Sequence, residues 1–245
     1  MRYLFTVLTL MASAPLLSQD DCDLFNIQGL AADNLSQQAE IDALSCCAGV
    51  EMDGYRYKGV LIGDQCWFAE NLRTTVYADG SAIPEVTDNS WTGLSTGARC
   101  TYANDPSVPH GYGLLYNWYA VDNASGLCPN GWHVPTDGEW TNLENHITSQ
   151  GFDGSEGTAL KSTSGWNDSG NGTDDFGFSA LPGGFRFSFS GSFANAGDFG
   201  GLWWSSSPSG GDPWSRVLDY SNPVIGRYDN DPRVGFSVRC LRDAE

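Results

Sequence analysis

Leu127-Cys128-Pro129-Asn130-Gly131-Trp132-His133-Val134-Pro135-Thr136-Asp137-Gly138-Glu139-Trp140 carries the clearest structural signal in the chain. Thr136 and Glu139 have the spacing of a capping box. The threonine hydroxyl accepts from the Glu139 N–H while the Glu139 carboxylate reaches back. Trp140, Leu143 and Ile147 then form an apolar stripe at i, i+3 and i+7, and Gly151 is placed to end the helix. Working outward, Arg56–Ile62 reads as a strand with Gly63-Asp64 as its turn. Residues 74–109 are dense in Thr, Asn, Asp and Gly and read as loops. Residues 151–184 look irregular, held by Trp166 and by Leu181-Pro182-Gly183-Gly184. Phe185–Ser190 alternates strictly, with three Phe on one face. Val234, Phe236, Val238 and Cys240 alternate likewise against Ser237 and Arg239. That last strand is expected to pair near the first and to bring the ends of the domain together.

The chain has 245 residues, 40% of them hydrophobic, with 9 Trp, 10 Tyr and 12 Phe. Aromatic side chains bury roughly 150–250 Å² each, so a sizeable core is available. Thirty Gly favour turns and close backbone contacts over long helices. The formal net charge of −18 repels phosphate backbones and argues against nucleic acid as a partner. Ten Arg stand beside only two Lys, a bias that composition alone does not explain.

Met1-Arg2 followed by an apolar run from Tyr3 to Leu17 reads as a secretory signal peptide over residues 1–18, with cleavage expected near Ser18-Gln19. The run is too short to span a membrane, Pro15 interrupts it, and no later segment is long enough. Gln19-Asp20-Asp21 before Cys22 does not fit a lipid-modified cysteine. Residues 19–48 lack Trp and Tyr, and Leu24, Ile27, Leu30, Leu35, Ile41 and Leu44 recur at helical spacing. So short a helical segment is expected to pack on the main domain, 49–245, or to oligomerise through residues 20–48. Seven cysteines in an exported chain point to disulfides. Neighbouring Cys46 and Cys47 are poorly placed to bond each other; one of them could pair with Cys22, leaving an odd thiol able to link two chains.

Trp67-Phe68-Ala69-Glu70-Asn71-Leu72-Arg73-Thr74-Thr75, Tyr116-Asn117-Trp118-Tyr119-Ala120-Val121, the 127–136 stretch with Glu139-Trp140, Phe178–Gly184, Trp203-Trp204-Ser205-Ser206 and Gly235–Asp243 resemble, in order, the signatures of the Fibrobacter succinogenes major paralogous domain family. The resemblance runs from about Gly54 to Asp243 and does not cover the first 50 residues. That family is similar in turn to C-type lectin-like folds and to the formylglycine-generating enzyme group. It implies an α+β, C-type lectin-like domain with one or two helices, a short twisted antiparallel sheet and long ordered loops. The residue-level reading of one helix, short strands and adjacent ends agrees with it. The resemblance also implies a disulfide between the last strand and the helical side, which Cys128 and Cys240 would form, leaving Cys66 with Cys100.

The formylglycine-generating enzymes use two nearby thiolates, suited to a soft copper ion. Cys240 has no second cysteine near it in sequence, so that enzymatic reading falls and no catalytic residue is assigned. None of the Gly-Ser pairs has the strand–elbow–helix context of a serine nucleophile. Of the three His, His110 lies in a Pro/Gly loop, His146 at the margin of the helical stripe, and His133 is expected to be buried and hydrogen-bonded. No cofactor is expected beyond a structural Ca²⁺, for which Asp168, Asn171, Asp174 and Asp175 could supply hard oxygen ligands from one Gly-rich loop. The competing reading of those residues is an ordinary Asx-turn loop. Trp203, Trp204, Val217, Leu218 and Phe236 read as core. Between them Asn195, Asp198, Phe199, Ser207, Asp212, Trp214, Arg216, Tyr220, Asn222, Arg227, Tyr228, Asp229 and Asn230 read as a recognition face, because aromatic, amide and Arg side chains on loops of a rigid scaffold suit adaptable binding. The segment is similar to the variable regions of lectin-like domains diversified by retroelements. The expected function is thus non-catalytic binding of a protein or glycan, by a protein that is secreted or displayed on the outer cell surface. The alternative is a structural component of an extracellular filament or matrix, and the third reading is an enzyme with unrecognised acid–base residues, which would need a deep pocket holding a carboxylate pair or a pKa-shifted His.

Overall fold

A computed structural model describes residues 47, 49–108, 110–197 and 200–243. The chain opens with a hairpin of β1 (Val50–Met52) and β2 (Tyr55–Tyr57). The run expected as one strand breaks at Lys58, and β3 (Gly59–Ile62) starts anew. Gly63 and Asp64 make the expected two-residue turn into β4 (Gln65–Phe68), with Ile62 opposite Gln65. Gly63 takes φ 62°, the left-handed backbone such tight hairpins require. A long loop then leads to β5 (Arg99–Cys100), which pairs with β6 (Leu115–Tyr116). One helical turn, α1 (Trp118–Val121), follows, capped by the Asn117 side chain.

The helix α2 spans Asp137–Ile147 and has the full capping box between Thr136 and Glu139. Trp140, Leu143 and Ile147 are all buried, as the stripe requires. Beyond Ile147 the chain winds on as a wider turn, Thr148–Phe152, inside which Gly151 adopts φ 98°. A short α3 (Glu156–Leu160) comes next. A third two-stranded sheet pairs β7 (Gly183–Arg186) with β8 (Phe193–Ala196). The alternating Phe185–Ser190 run therefore leaves the strand after Arg186. Phe187 stacks edge-on against Phe185 and continues to Phe189, whose side chain is 76% exposed.

The largest sheet has the order β11-β10-β9, from β9 (Gly201–Pro208), β10 (Pro213–Leu218) and β11 (Gly226–Asp229). Consecutive residues of a strand face opposite sides, so Trp203 and Trp204 enter different cores. Trp204 packs with Phe236 and Leu202, Trp203 with Trp140, Leu143 and Phe178, and both indoles are fully buried. The sheet at β9 is thus a partition between two hydrophobic clusters rather than a half-wet layer.

Residues 234–240 are wholly buried, including Ser237 and Arg239, so their alternation does not mark a wet face. Single bridges tie this segment to three neighbours, through Gly235 to Arg186, Phe236 to Tyr116 and Ser237 to Trp203. The strand expected over 234–240 is thus replaced by isolated bridges, and the closing strand β12 (Leu241–Asp243) begins just beyond it and pairs with β4, which brings the two ends of the domain together. The architecture is mixed α+β, mostly β, built from several small antiparallel sheets.

Cys128–Cys240 is formed, linking the last strand to the segment before α2. The expected Cys66–Cys100 bridge is not: Cys66 pairs with Cys47, and Cys100 is a free thiol in the core. Cys100 sits under Trp91 and Leu115 in its own small cluster. Burial pushes its thiol up to about 12. The 19–48 helical segment and its pairing through Cys22 or Cys46 lie outside the described residues, apart from Cys47.

Candidate functional site

The β10–β11 ribbon gathers most of the residues expected to form a recognition face. Its registers place Trp214 opposite Asp229, Ser215 opposite Tyr228 and Arg216 opposite Arg227. Trp214, Arg216, Arg227 and Asp229 therefore share the face turned to α2, while Ser215 and Tyr228 share the other. Two arginines directly across a ladder repel each other. Here Asp137 stands between them, its Oδ1 accepting from Arg216 Nη1 at 2.7 Å and from Arg227 Nε at 2.8 Å, and its Oδ2 from Arg227 Nη2 at 2.9 Å. Hydrogen bonding from Arg227 holds the Asp137 carboxyl below its usual range; burial opposes this and Arg216 adds to it.

Arg216 is not a display residue. It is 1% exposed and also donates to Glu144 Oε1 and Thr141 Oγ1. It is the bolt that fastens the ribbon to α2. Asp137, Thr141 and Glu144, the other half of that joint, went unnoticed in the sequence. Their i, i+4, i+7 spacing, on the helix side next to the apolar stripe, was the available signal.

Arg227 in turn lies flat on Trp214, its guanidinium carbon 3.5 Å from the ring centroid. The pair is fixed before any ligand arrives, so little rotamer freedom is left to lose. Tyr228 projects from the opposite face and is 58% exposed. Asn230 donates to Ser215 Oγ and through its backbone to Pro213 O. Ser207 Oγ accepts from the Asp137 N–H. At the tip, the Ser209 N–H donates to Asp212 O across an exposed Gly210-Gly211 pair.

The far end of the ribbon is clamped rather than displayed. Lys161, 3% exposed, donates to the carbonyls of Asp219 and Asn222 and lies over Trp166. A Cβ at Gly157 would come within 3 Å of the Pro223 and Val224 carbonyl oxygens. Tyr220 packs against the α2-side core. Tyr220 and Asn222 thus belong to the anchored loop. Asn195 stands on β8, in a different sheet, with φ 66°. Asp198 and Phe199 fall outside the described residues.

The Gly-rich loop uses its oxygens internally. Asp174 accepts from the Ser179 N–H and hydroxyl, both at 2.6 Å, Asp175 accepts from Thr173 Oγ1, and Asn171 Oδ1 accepts from the Trp166 N–H. Asp168 is exposed with φ 47°. Among the described residues no three His, Cys, Asp or Glu side chains are grouped to hold a metal ion.

His133 is hydrogen-bonded as expected, but it is half-exposed rather than buried, with 43% of its side chain accessible. Its Nε2 lies 2.7 Å from Glu139 Oε1. That hydrogen bond raises the imidazole's pKa against the opposing effect of burial. Burial works against ionisation of Glu139, yet bonds from His133 and Thr136 still hold its carboxyl low. Both Glu139 oxygens are occupied, one by His133 and the other by the Thr136 N–H and hydroxyl of the capping box. An open polar cleft of about 640 Å³ lies on another side of α2, between Asn142, Asn145 and His146 of the helix, the Gly63-Asp64 turn and Asp243.

Residues 60–242 match the family model described as the Fibrobacter succinogenes major domain. No curated protein and no solved structure matches the chain.

Proposed function

Since the chain belongs to the Fibrobacter succinogenes major domain family across residues 60–242, we propose that its family signatures build a scaffold and that the β10–β11 ribbon does the binding. The protein acts as a non-catalytic, secreted or surface-exposed binder of a protein or glycan, with a C-type lectin-like arrangement of its loops. The observation that carries this reading is the contrast within one sheet. At β9 both faces are buried, whereas β11 is exposed along Arg227, Tyr228 and Asp229. Trp214, Arg227, Tyr228 and Asn230 are the ligand-contacting set, and Arg216 orients them without touching ligand. Two disulfides and the absence, among the described residues, of a helix able to cross a membrane are compatible with an extracellular place of work.

The non-catalytic reading is supported by how the polar groups are used. The His133–Glu139 pair closes a helix cap, and the Asp137–Arg216–Glu144 group fastens the ribbon. The test is direct binding of the full mature chain to an array of glycans and of purified surface proteins, repeated with Trp214→Ala and Tyr228→Ala. Saturable binding that falls at least about tenfold in either variant, the effect of losing one aromatic contact worth roughly 1.4 kcal/mol, supports the reading. Binding that is indifferent to both substitutions, or no binding on any surface, overturns it.

A further inference from the structure

β11 lies at the end of its sheet and pairs with β10 alone. Its other edge offers unpaired backbone groups, and the hydrogen bonds of the ribbon show which. The Asn230 N–H donates to Pro213 O at 3.0 Å, and the Tyr228 carbonyl accepts from Ser215 Oγ at 3.1 Å. Positions 228 and 230 thus direct their backbone groups towards β10. Alternation along a strand then turns the N–H and C=O of Arg227 and Asp229 outward, to the free edge.

We infer that the partner for this edge is a second copy of the chain, added antiparallel about a two-fold axis through Tyr228. The inference rests on the reading of the ribbon as a recognition surface and names its occupant. Only outward-facing positions can exchange backbone hydrogen bonds, so Arg227 and Asp229 must pair among themselves. A two-fold axis at Arg227 or at Asp229 satisfies the backbone but faces like charges, which destabilises a cross-strand pair. An axis at Tyr228 sets Arg227 against Asp229 of the second copy, twice, on one face, and Tyr228 against its own counterpart on the other. Arg-Tyr-Asp is the self-complementary sequence that an isologous contact needs. The Arg227 side chain is already held by Asp137 and Trp214, and its Nη1 donates to no other described residue.

Directly opposed residues that do not exchange backbone hydrogen bonds bring their Cα atoms to about 4.5 Å, within the roughly 4.4–6.8 Å that a disulfide can bridge. Tyr228→Cys in the full mature chain is therefore expected to give a reducible dimer under mild oxidation, with the 228–228 bridge located by peptide mass mapping. Gly211→Cys is the control, an exposed position with open space around its Cβ. Adding Asp229→Arg to Tyr228→Cys faces two pairs of like charges and should lower the bridged fraction about tenfold, with the melting temperature of both variants confirming that they fold. A 228–228 yield no higher than the control, or one that Asp229→Arg leaves unchanged, overturns self-pairing. If that happens while array binding through Trp214 and Tyr228 persists, self-pairing alone falls and the ribbon remains a recognition surface for other partners. Concentration-dependent dimers that carry the 228–228 bridge support it.

Discussion

Arg239 and Arg216 are both buried, and they hold two regions of the molecule in opposite ways. Arg239 sits where β4 and the last segment of the chain meet. It donates to Phe68 O, Phe178 O, Ser179 O and Asn71 Oδ1, and its guanidinium lies over Phe178. Every one of those acceptors is neutral. Burial pulls the guanidinium down to about 9, with Asp174 and Glu70 pushing back, so it stays charged at neutral pH. Arg216 instead spends its fork on Asp137 and Glu144, two carboxylates. Both disulfides lie in the first region, through Cys66 of β4 and Cys240 beside Arg239, and neither reaches the ribbon. The scaffold is tied by covalent bonds and neutral acceptors, and the display element by charge. Two of the ten Arg have a physical reason in this pattern. Arg186 repeats the pattern, donating to the carbonyls of Val86, Asp88 and Gly191 while lying over Trp91. A planar fork of five donors can gather several loop carbonyls at once, which an ammonium does less well.

The largest expected effect is in the covalent ties. Replacing Cys128 and Cys240 with Ala releases a separation of 112 residues, and replacing Cys47 and Cys66 releases one of 19. Closure entropy then predicts losses of roughly 4–5 and about 3 kcal/mol by chemical denaturation. Equal losses would show that native-state strain, not chain closure, sets these values. Arg239→Met comes next, at about 4 kcal/mol, because it leaves several buried acceptors without a donor. A loss under 1 kcal/mol would mean that water reaches those carbonyls and that the neutral hub is not what binds the region. Arg216→Met should lose less, about 2–3 kcal/mol, since Asp137 and Glu144 can turn to solvent when released.

The two regions should also differ in acid. Asp137 has a lowered folded pKa, so the stability it supplies is present above the ordinary carboxylate value of about 3.9 and is lost as pH falls through the folded value. Arg227→Met, which removes the main cause of that lowering, should flatten the acid limb of the stability profile, and Arg216→Met should flatten it less, whereas Arg239→Met should shift the whole profile without changing its shape. His133 runs the other way: its folded pKa is raised, so its contribution is complete below about 6.5 and fades as pH rises through the folded value. A proton-NMR titration of His133 in wild type and Glu139→Gln should show the elevation removed by the substitution. At the small end, Tyr228→Ala should change stability by no more than about 0.5 kcal/mol, as suits a side chain that serves binding alone.

Local signals in the sequence were enough for the parts of the fold they govern. The Thr136–Glu139 cap, the 140/143/147 stripe and the Gly63-Asp64 turn each depend on residues within about two helical turns, and each formed as read. The closing of the domain by its last strand, and the Cys128–Cys240 bridge implied by the family likeness, also hold. Pairing of Cys66 did not follow, because the β1–β2 hairpin folds Cys47 back beside Gly59 and the β3–β4 hairpin sets Cys66 next to it, a proximity that leaves no mark in spacing. The face of Arg216 was illegible for a related reason. An Arg on an alternating strand reads as wet unless its carboxylates are known, and these lie more than 70 residues upstream on α2. In residues 234–240 alternation was read as one strand, whereas the segment is clasped between three sheets by single bridges and buries its polar side chains by bonding them. The recognition face was read as a list of display residues; packing divided it into a clamped loop, a buried bolt and an exposed ribbon.

The central claim is that a neutrally tied scaffold carries a charge-tied ribbon. Amide hydrogen exchange tests it most directly, as protection factors followed residue by residue at pH 7 and at pH 3. The Phe68 and Leu72 amides, which donate to Cys240 O and Val238 O, should keep their protection at both values. The Tyr228 and Asn230 amides should lose theirs as Asp137 takes up a proton. Loss of protection in both regions together, or a ribbon as protected at pH 3 as at pH 7, would contradict it.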